Sequence, residues 1–587
     1  MSTMSKIIGR IFPTFTSARF AEYRIPRLWV ITLVALVAKS GLLTGSLYGI
    51  LGSLATAIVA PPLLCLLSIP ALALRRRGQA TYLLLLNGLL SFLLAGDAVY
   101  ARAFQEPLGL HTLAAARTMD DMAGSITAML NWTDLAYFAD LPVALAAIIA
   151  SRDAMTHSSR RLGTFAVVGT LSAAVVLTQI LQIGVGSHLS DRRFLPLTLS
   201  PVGFHVYDVA SAVSNRDRDL SREDLSDIRA WLGENARYQA PDHAFKTLHG
   251  NVTGKNLIVV QIESLEQSLL GQRVNGEAIT PNLNRLIGES IYFPNVVQQV
   301  KDGNTSDAML LFNTSTYPLR SGSAFLRFPE NNFQTLPKLL SSDGYTPIAI
   351  QGDAEEFWNR DRTYPSLGFS DYVSENRFED RREVGMGIID ESLYKQSIIE
   401  LQRLQEPFYL HLTTMTSHTP FELPEEMKLL EMQRSDQTSN YLQSVRYADE
   451  AFGEFYADLK RRGLLENSVL VVYGDHEGIH KYADSTWLPD NNARVPFIIH
   501  TPDLKGITVE NPGGQVDMLP TLAYLFGFDP EEYAWAMGRN LLGPHTGSAI
   551  LSSGDVLPEA DDAEHLQEGL RVANLIISGD YFSSSGG

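Results

Sequence analysis

Four short apolar runs beyond residue 250 end in an acid or an imidazole. Glu263 closes Val259-Val260-Gln261-Ile262, and Asp353 follows Ile348-Ala349-Ile350-Gln351-Gly352. His418 follows residues 412–417, and Asp475 with His476 follows residues 469–474. In open α/β sheets, ligands bind beyond the carboxyl ends of the strands. Read as strands, these runs deliver five chemistry-bearing side chains to one rim. Taken singly, each has a plainer reading, because strand ends favour polar residues anyway. Together, Glu263, Asp475 and His476 make a divalent-metal site. Mixed carboxylate and imidazole ligands suit Mn²⁺ or Zn²⁺ and, less well, Mg²⁺. Neighbouring strand residues face opposite ways, so Asp475 and His476 need a turn to act together. Gly474 and Gly478 bracket them with the backbone freedom for one.

A fifth segment reads as a loop opening a helix: Lys301-Asp302-Gly303-Asn304-Thr305-Ser306-Asp307, then apolar residues 308–312. Backbone N–H groups and the helix dipole at such a place favour an anion. A metal-bound hydroxyl there reaches the alkoxide state and attacks phosphorus. The same spacing is that of Thr305 or Ser306 as a simple N-cap, and spacing alone favours the cap.

The elements that must position these residues alternate. Apolar runs at 256–262, 291–297, 346–351, 408–413, 468–473 and 495–500 are separated by helical periods such as 281–289, 336–342, 441–462 and 517–526. That alternation predicts a mostly parallel sheet covered by helices on both faces. Residues 221–232 predict a short helix capped by Ser221, within a connector at 188–250. The catalytic domain is expected over 251–587, with a frayed Ser/Gly tail.

Residues 1–187 are different. Five apolar stretches, at about 28–46, 49–73, 80–101, 131–150 and 163–186, have the length of membrane spans. The second should bend at Pro61-Pro62, and the fourth carries Asp134 and Asp140 in its first half. Lys6, Arg10, Arg19, Arg24 and Arg27 precede the first span; Arg75, Arg76 and Arg77 follow the second; Arg152, Arg160 and Arg161 follow the fourth. All three clusters fall on one side, which the positive-inside rule makes the cytoplasm. The soluble part is then extracytoplasmic, on a bacterial cytoplasmic membrane. Asp97, near the outer end of the third span, is a functional group or a residue of the wet interface.

Charge divides at the same boundary. The first 187 residues carry 14 Lys+Arg against 8 Asp+Glu, leaving 33 against 57 for the rest of a chain of net charge −18. An acidic soluble part excludes nucleic acid as the substrate, since a phosphate backbone demands a basic surface. The single cysteine, Cys65, lies in an apolar run, so no intramolecular disulfide forms.

Residues 256–264, Thr280-Pro281-Asn282-Leu283, Asn304-Thr305-Ser306-Asp307, Gly352-Asp353 and Phe357-Trp358-Asn359-Arg360-Asp361 form an ordered series. It continues through Ser417-His418-Thr419-Pro420, Tyr447-Ala448-Asp449, Tyr473-Gly474-Asp475-His476, Arg494-Val495-Pro496 and residues 516–521. In content and order it resembles the lipoteichoic acid synthase and phosphoglycerol transferase family of the alkaline phosphatase–sulfatase superfamily. The resemblance implies an alkaline-phosphatase-like catalytic domain behind five spans. It implies that Glu263, Thr305, Asp475 and His476 bind one Mn²⁺-like ion and that Thr305 is the nucleophile. Asp353, Phe357, Trp358, Arg360 and His418 would line a phosphoglycerol pocket, with His418 donating a proton or orienting the phosphate. Arg360 offers a fixed fork to phosphate oxygens. The implied donor is an outer-leaflet lipid such as phosphatidylglycerol; the acceptor is polyglycerol phosphate or an envelope glycan. The chain departs from the family at Gln351, where His is favoured, and at Asn304, where Lys is common. Sulfatase chemistry is disfavoured, because no Cys-x-Pro-x-Arg motif is present and Thr305 stands at the nucleophile's place. Phosphoethanolamine transfer and an inactive membrane sensor are the competing readings. The first is disfavoured by the missing disulfides, the second by four competent site residues.

Overall fold

In the computed structural model, the described residues are 27–74, 76–104, 107–110, 127, 129–150, 160–186, 195–214, 220–240, 243–482, 487–544, 547–558 and 562–584. Lys6, Arg10, Arg19, Arg24, Arg75 and Arg152 of the basic clusters, and the last three residues of the tail, lie outside them. The chain divides into two compact units, one from residues up to 108 with 129–212, the other from 109–128 with 213 onward.

The first unit is helical. Helices α1 (Arg27–Ser68), α2 (Arg76–Phe104), α3 (Leu141–Ala150), α4 (Arg160–Gly186) and α5 (Pro201–Ser214) make most of it. One residue of α1, Gly49, has non-helical backbone (φ 68°, ψ −162°) and separates two legs. This break falls at the first residue of the second expected span. Pro61 and Pro62, where the sequence predicts a bend, sit in the second leg with helical backbone. The legs approach closely because small residues line the seam. A Cβ on Gly52 would stand 2.2 Å from the Thr44 carbonyl oxygen, and the Thr44 and Thr56 hydroxyls meet at 2.7 Å. Among the described residues, two helical stretches are long and apolar enough to cross a bilayer, Leu28–Ala73 and Arg77–Arg102. They leave Ile50, Ile58, Leu85, Leu89 and Phe92 exposed, as a lipid-facing surface requires. These helices anchor the chain to the membrane.

The expected fourth span is not one helix. Residues Trp132–Phe138 form a 3₁₀ helix capped by Asn131, and α3 starts only at Leu141. The acids noted in the sequence explain the interruption. Asp134 pairs with Arg102 and accepts from the Asn131 N–H, bonds that hold the tighter turn. Asp140 is drawn to Lys39, whose ammonium sits 2.5 Å from one carboxylate oxygen and also donates to Asn87 and Ser91. Asp97 is fully buried, its carboxylate 2.8 Å from His205 Nε2 on α5.

The second unit is built on an eight-stranded sheet. Its strands are β1 (Asn256–Ile262), β2 (Ile291–Phe293), β3 (Thr346–Gln351), β4 (Asp371–Val373), β5 (Phe408–Thr413), β6 (Ser468–Gly474), β7 (Phe497–His500) and β8 (Ile507–Thr508), in the order β8-β2-β7-β6-β1-β5-β3-β4. Only β7 is antiparallel to its neighbours; the other pairings are parallel, as the alternation predicts. Both faces are dry. Leu257, Val259, Val469 and Val471 enter one core, while Ile258, Val260, Leu470 and Val472 enter the other. That two-sided burial is why these strands read as unbroken apolar runs. Helix α6 (Arg222–Asn235) begins as expected, with the Asp224 N–H donating to Ser221 Oγ at 3.1 Å.

Candidate active site

Strands β1 and β6 are parallel neighbours in register, Ile262 opposite Gly474. Their next residues, Glu263 and Asp475, therefore emerge side by side. Glu263, Asp475 and His476 are each at most 2% exposed, and one ligand atom from each lies within 4.8 Å of the others. His476 Nε2 is 3.2 Å from Glu263 Oε1 and 3.7 Å from Asp475 Oδ2. Its Nδ1 lies 2.8 Å from the Glu477 carbonyl oxygen. That contact fixes the proton on Nδ1 and turns the Nε2 lone pair to the carboxylates, the arrangement of a ligating imidazole.

The electrostatics are those of a site built for a cation. Burial and the adjacent Glu263 charge push the Asp475 carboxyl up; burial would lower His476, but Asp475 and Glu263 outweigh it and raise it to about 9. Burial would also raise Glu263, yet the His476 imidazole, aided by His418, holds it below the usual carboxylate range. Asp475 Oδ2 is buried without a hydrogen-bond partner, and such an atom is costly unless a cation faces it. With two carboxylates and one imidazole, the donors fit a divalent ion of the Mn²⁺, Zn²⁺ or Mg²⁺ class.

Thr305 is the first residue of α7 (Thr305–Thr314), and its hydroxyl donates to Glu263 Oε2 at 3.0 Å. The simple capping alternative does not hold. The N-cap is Asn304, in an unusual conformation (φ 42°, ψ −111°) and with no side-chain cap bond. The Ser306 hydroxyl faces away, donating to the Gly303 carbonyl. Asp307 closes the loop, accepting from the Lys301 and Gly303 N–H groups, each at 2.9 Å. A Gln261 amide N–H holds the Thr305 carbonyl at 3.1 Å.

Asp353, at the end of β3, pairs with Arg360, and both are buried. Burial pushes Asp353 up despite the Arg360 charge. Tyr372 donates to its second oxygen at 3.3 Å. The Arg360 fork is thus committed to a carboxylate and stacked 5.3 Å over Phe357. Phe357 is buried, and Trp358, half-buried in a left-handed conformation (φ 57°), meets it edge-on. His418 is half-buried and near enough to bear on the Glu263 charge; its Nδ1 is 2.7 Å from the Thr419 carbonyl, which leaves Nε2 for chemistry.

A sulfatase family model matches residues 255–528, and the model of the lipoteichoic acid synthase N-terminal domain matches residues 4–219. Lipoteichoic acid synthase 1 of Bacillus subtilis is 30% identical over 84% of this chain and 81% of its own. The chain belongs to the lipoteichoic acid synthase family. The lipoteichoic acid synthase of Staphylococcus aureus is 31% identical over 78% of this chain and 74% of its own. Among solved structures, that of a lipoteichoic acid synthase from Listeria monocytogenes superposes with a TM-score of 0.53 at 26% identity, covering 60% of this chain and 98% of the other.

Several residues of this synthase-like site escape sequence reasoning. Ser264 takes positive φ (55°), donates its hydroxyl to Glu263 Oε1 and its N–H to Asp475 Oδ1. Thr414 and Ser417 bond the Glu263 backbone on either side. Ser417 opens a motif of the ordered series and Thr414 sits in the Thr-rich run before it, but neither signal points to the Glu263 backbone. Gly474 and Gly478 are required for another reason than expected. Neither has positive φ. A Cβ on Gly474 would lie 2.2 Å from the Leu265 carbonyl oxygen, and one on Gly478 2.3 Å from the Tyr441 ring. The motif residue Asp449 is a clamp, accepting from the Asn282 and Leu283 N–H groups.

Proposed function

We propose that this protein transfers phosphoglycerol from an outer-leaflet phospholipid, phosphatidylglycerol, to a polyglycerol-phosphate or envelope-glycan acceptor, through a phospho-Thr305 intermediate. As a lipoteichoic acid synthase homologue the chain is a phosphoglycerol transferase; the donor, acceptor and residue roles are our reading. The observation that carries it is the Thr305 hydroxyl, 3.0 Å from Glu263 within a buried Glu–Asp–His cluster.

Glu263, Asp475 and His476 would hold a divalent cation of the Mn²⁺ type together with Thr305, with Mg²⁺ or Zn²⁺ as alternatives. Bound there, the cation supplies charge neutralisation and acidifies the Thr305 hydroxyl. Thr305 Oγ attacks phosphorus as its proton passes towards Glu263 Oε2. The bond from phosphorus to the diacylglycerol oxygen breaks, and His418 Nε2 protonates that oxygen. An acceptor hydroxyl then attacks the glycerophospho-threonine and gives its proton to His418; the bond from phosphorus to Thr305 Oγ breaks, and Glu263 returns its proton to that oxygen. Arg360, Asp353, Phe357 and Trp358 shape the wall against which the glycerophosphate is oriented. Five membrane crossings, counting the two legs of α1 and taking the broken segment of 3₁₀ helix and α3 as the fourth, would set the catalytic unit on the extracytoplasmic side of a bacterial cytoplasmic membrane.

The test is purified full-length protein with Mn²⁺ and phosphatidylglycerol labelled in its diacylglycerol part. Diacylglycerol release and a glycerophosphate adduct on Thr305 are expected, both absent in Thr305→Ala. Release from phosphatidylethanolamine instead would overturn the donor.

A further inference from the structure

The Asn304 side chain is held by a residue far away in sequence. An N-cap asparagine ordinarily turns its carbonyl oxygen onto an N–H of its own helix. Here that bond is missing. Asn304 Oδ1 instead accepts from Lys481 Nζ at 2.6 Å, across 177 positions of sequence. Lys481 lies on α8 (Ile479–Tyr482), the short helix after the Asp475-His476 turn. Asn304 also carries an unfavourable backbone, φ 42° and ψ −111°, where an L-residue persists only if its surroundings over-determine it.

Two anchors therefore set the peptide that carries Thr305. Behind it, Gln261 of β1 grips the Thr305 carbonyl. Gln261 is itself fixed, its carbonyl oxygen accepting from the Tyr473 hydroxyl at 2.6 Å and lying 3.2 Å from His411 Nε2. Ahead of it, Lys481 grips Asn304. The first anchor fixes how deep the Thr305 peptide sits. The second fixes the rotation of the residue from which the Thr305 Cα departs, and so where its hydroxyl points.

We propose that Lys481 is a positioning residue for Thr305, clamping Asn304 in its positive-φ conformation so that the Thr305 hydroxyl faces Glu263. The inference rests on the reading of Thr305 as nucleophile. It couples the nucleophile loop to the segment bearing Asp475 and His476: both reach Thr305 through one nine-residue stretch, 474–482. A shift of that stretch would move the clamp together with His476, whose Nε2 lies 3.2 Å from Glu263, the acceptor of the Thr305 hydrogen bond.

The experiment is a double-mutant cycle in the full-length protein, Lys481→Met and Asn304→Gly, with Lys481→Arg and Thr305→Ala as references. Glycine takes positive φ without a clamp. Lys481→Met should lower kcat about 10²-fold, the scale of a misplaced reacting group. Donor KM, bound Mn²⁺ per chain and melting temperature should stay at wild-type values. Lys481→Arg should recover most of the loss. In the Asn304→Gly background the further effect of Lys481→Met should largely vanish, because the clamp then has nothing to hold. Wild-type kcat in Lys481→Met, with Thr305→Ala inactive, overturns the clamp and leaves the nucleophile standing. Additive effects in the cycle, or a kcat loss matched by lost metal or lost folding, also overturn it. Turnover in Thr305→Ala would instead sink the nucleophile reading, and the clamp with it.

Discussion

His476 keeps its proton near neutrality because two buried carboxylates face it, with a pKa of about 9. A cation can take Nε2 only after that proton leaves. Metal binding at pH 7 should therefore release at least one proton, and the release should fade as pH rises through 9. Calorimetric titration of metal-free protein with Mn²⁺, in buffers of differing ionisation enthalpy, reads the number directly. No proton release at pH 7 would mean that His476 is not a ligand. The sign for stability follows the same charge. A raised imidazole pKa stabilises the metal-free fold below the unfolded value, and that contribution is lost as pH rises through about 9. Arg360 behaves differently, because its partner is fixed in the ground state. Arg360→Met strands the buried Asp353 carboxylate, and loss of one partner of a buried pair costs about 3–5 kcal/mol. The melting temperature of full-length protein should fall accordingly, with or without Mn²⁺. Arg360→Met/Asp353→Leu should recover stability without activity.

The rim residues were legible because of what the elements are. Parallel strands buried on both faces show as continuous apolar runs, and an acid ending such a run stands out. Glu263, Asp353, His418 and Asp475 were all visible in this way. What could not be read is any choice made by packing between distant segments. The glycines flanking Asp475-His476 looked like a turn's supply of backbone freedom, yet they are narrow passages for Leu265 and Tyr441. Gly474→Ala should therefore cost at least about 1–3 kcal/mol by overpacking and weaken Mn²⁺ binding, because β1 and β6 must part to admit the methyl group. Denaturant melts and metal titration of the variant check both effects; a variant with wild-type values in each would contradict the close approach. The break within the fourth span was hidden at the same level. Apolar content over 131–150 sufficed for a span, but the pull of Arg102 on Asp134 and of Lys39 on Asp140 breaks the helix, and neither partner lies nearby in sequence.

At the scale of the whole chain, the membrane unit carries its own polar core. Lys39, Asn87, Ser91 and Asp140 satisfy one another among apolar helices. Charges in such surroundings are tolerated only in company. Lys39→Met should lower the thermal stability of detergent-solubilised protein, and Lys39→Met/Asp140→Leu should restore part of it. A single variant as stable as wild type would show that the pair carries no stabilising role.

The pairing of β1 with β6 has a consequence for how the protein is made. Ser264 bonds Asp475 across 211 positions of sequence, so the Glu263–Asp475 cradle does not exist until most of the second unit has been synthesised and its central strands have met. In the topology we propose, that meeting happens after the chain has left the cytoplasm. The ion is then chosen outside the cell's metal-buffered interior, from whatever the envelope holds when the sheet closes. The environment of the maturing chain, as much as the ligand set, decides which metal it carries.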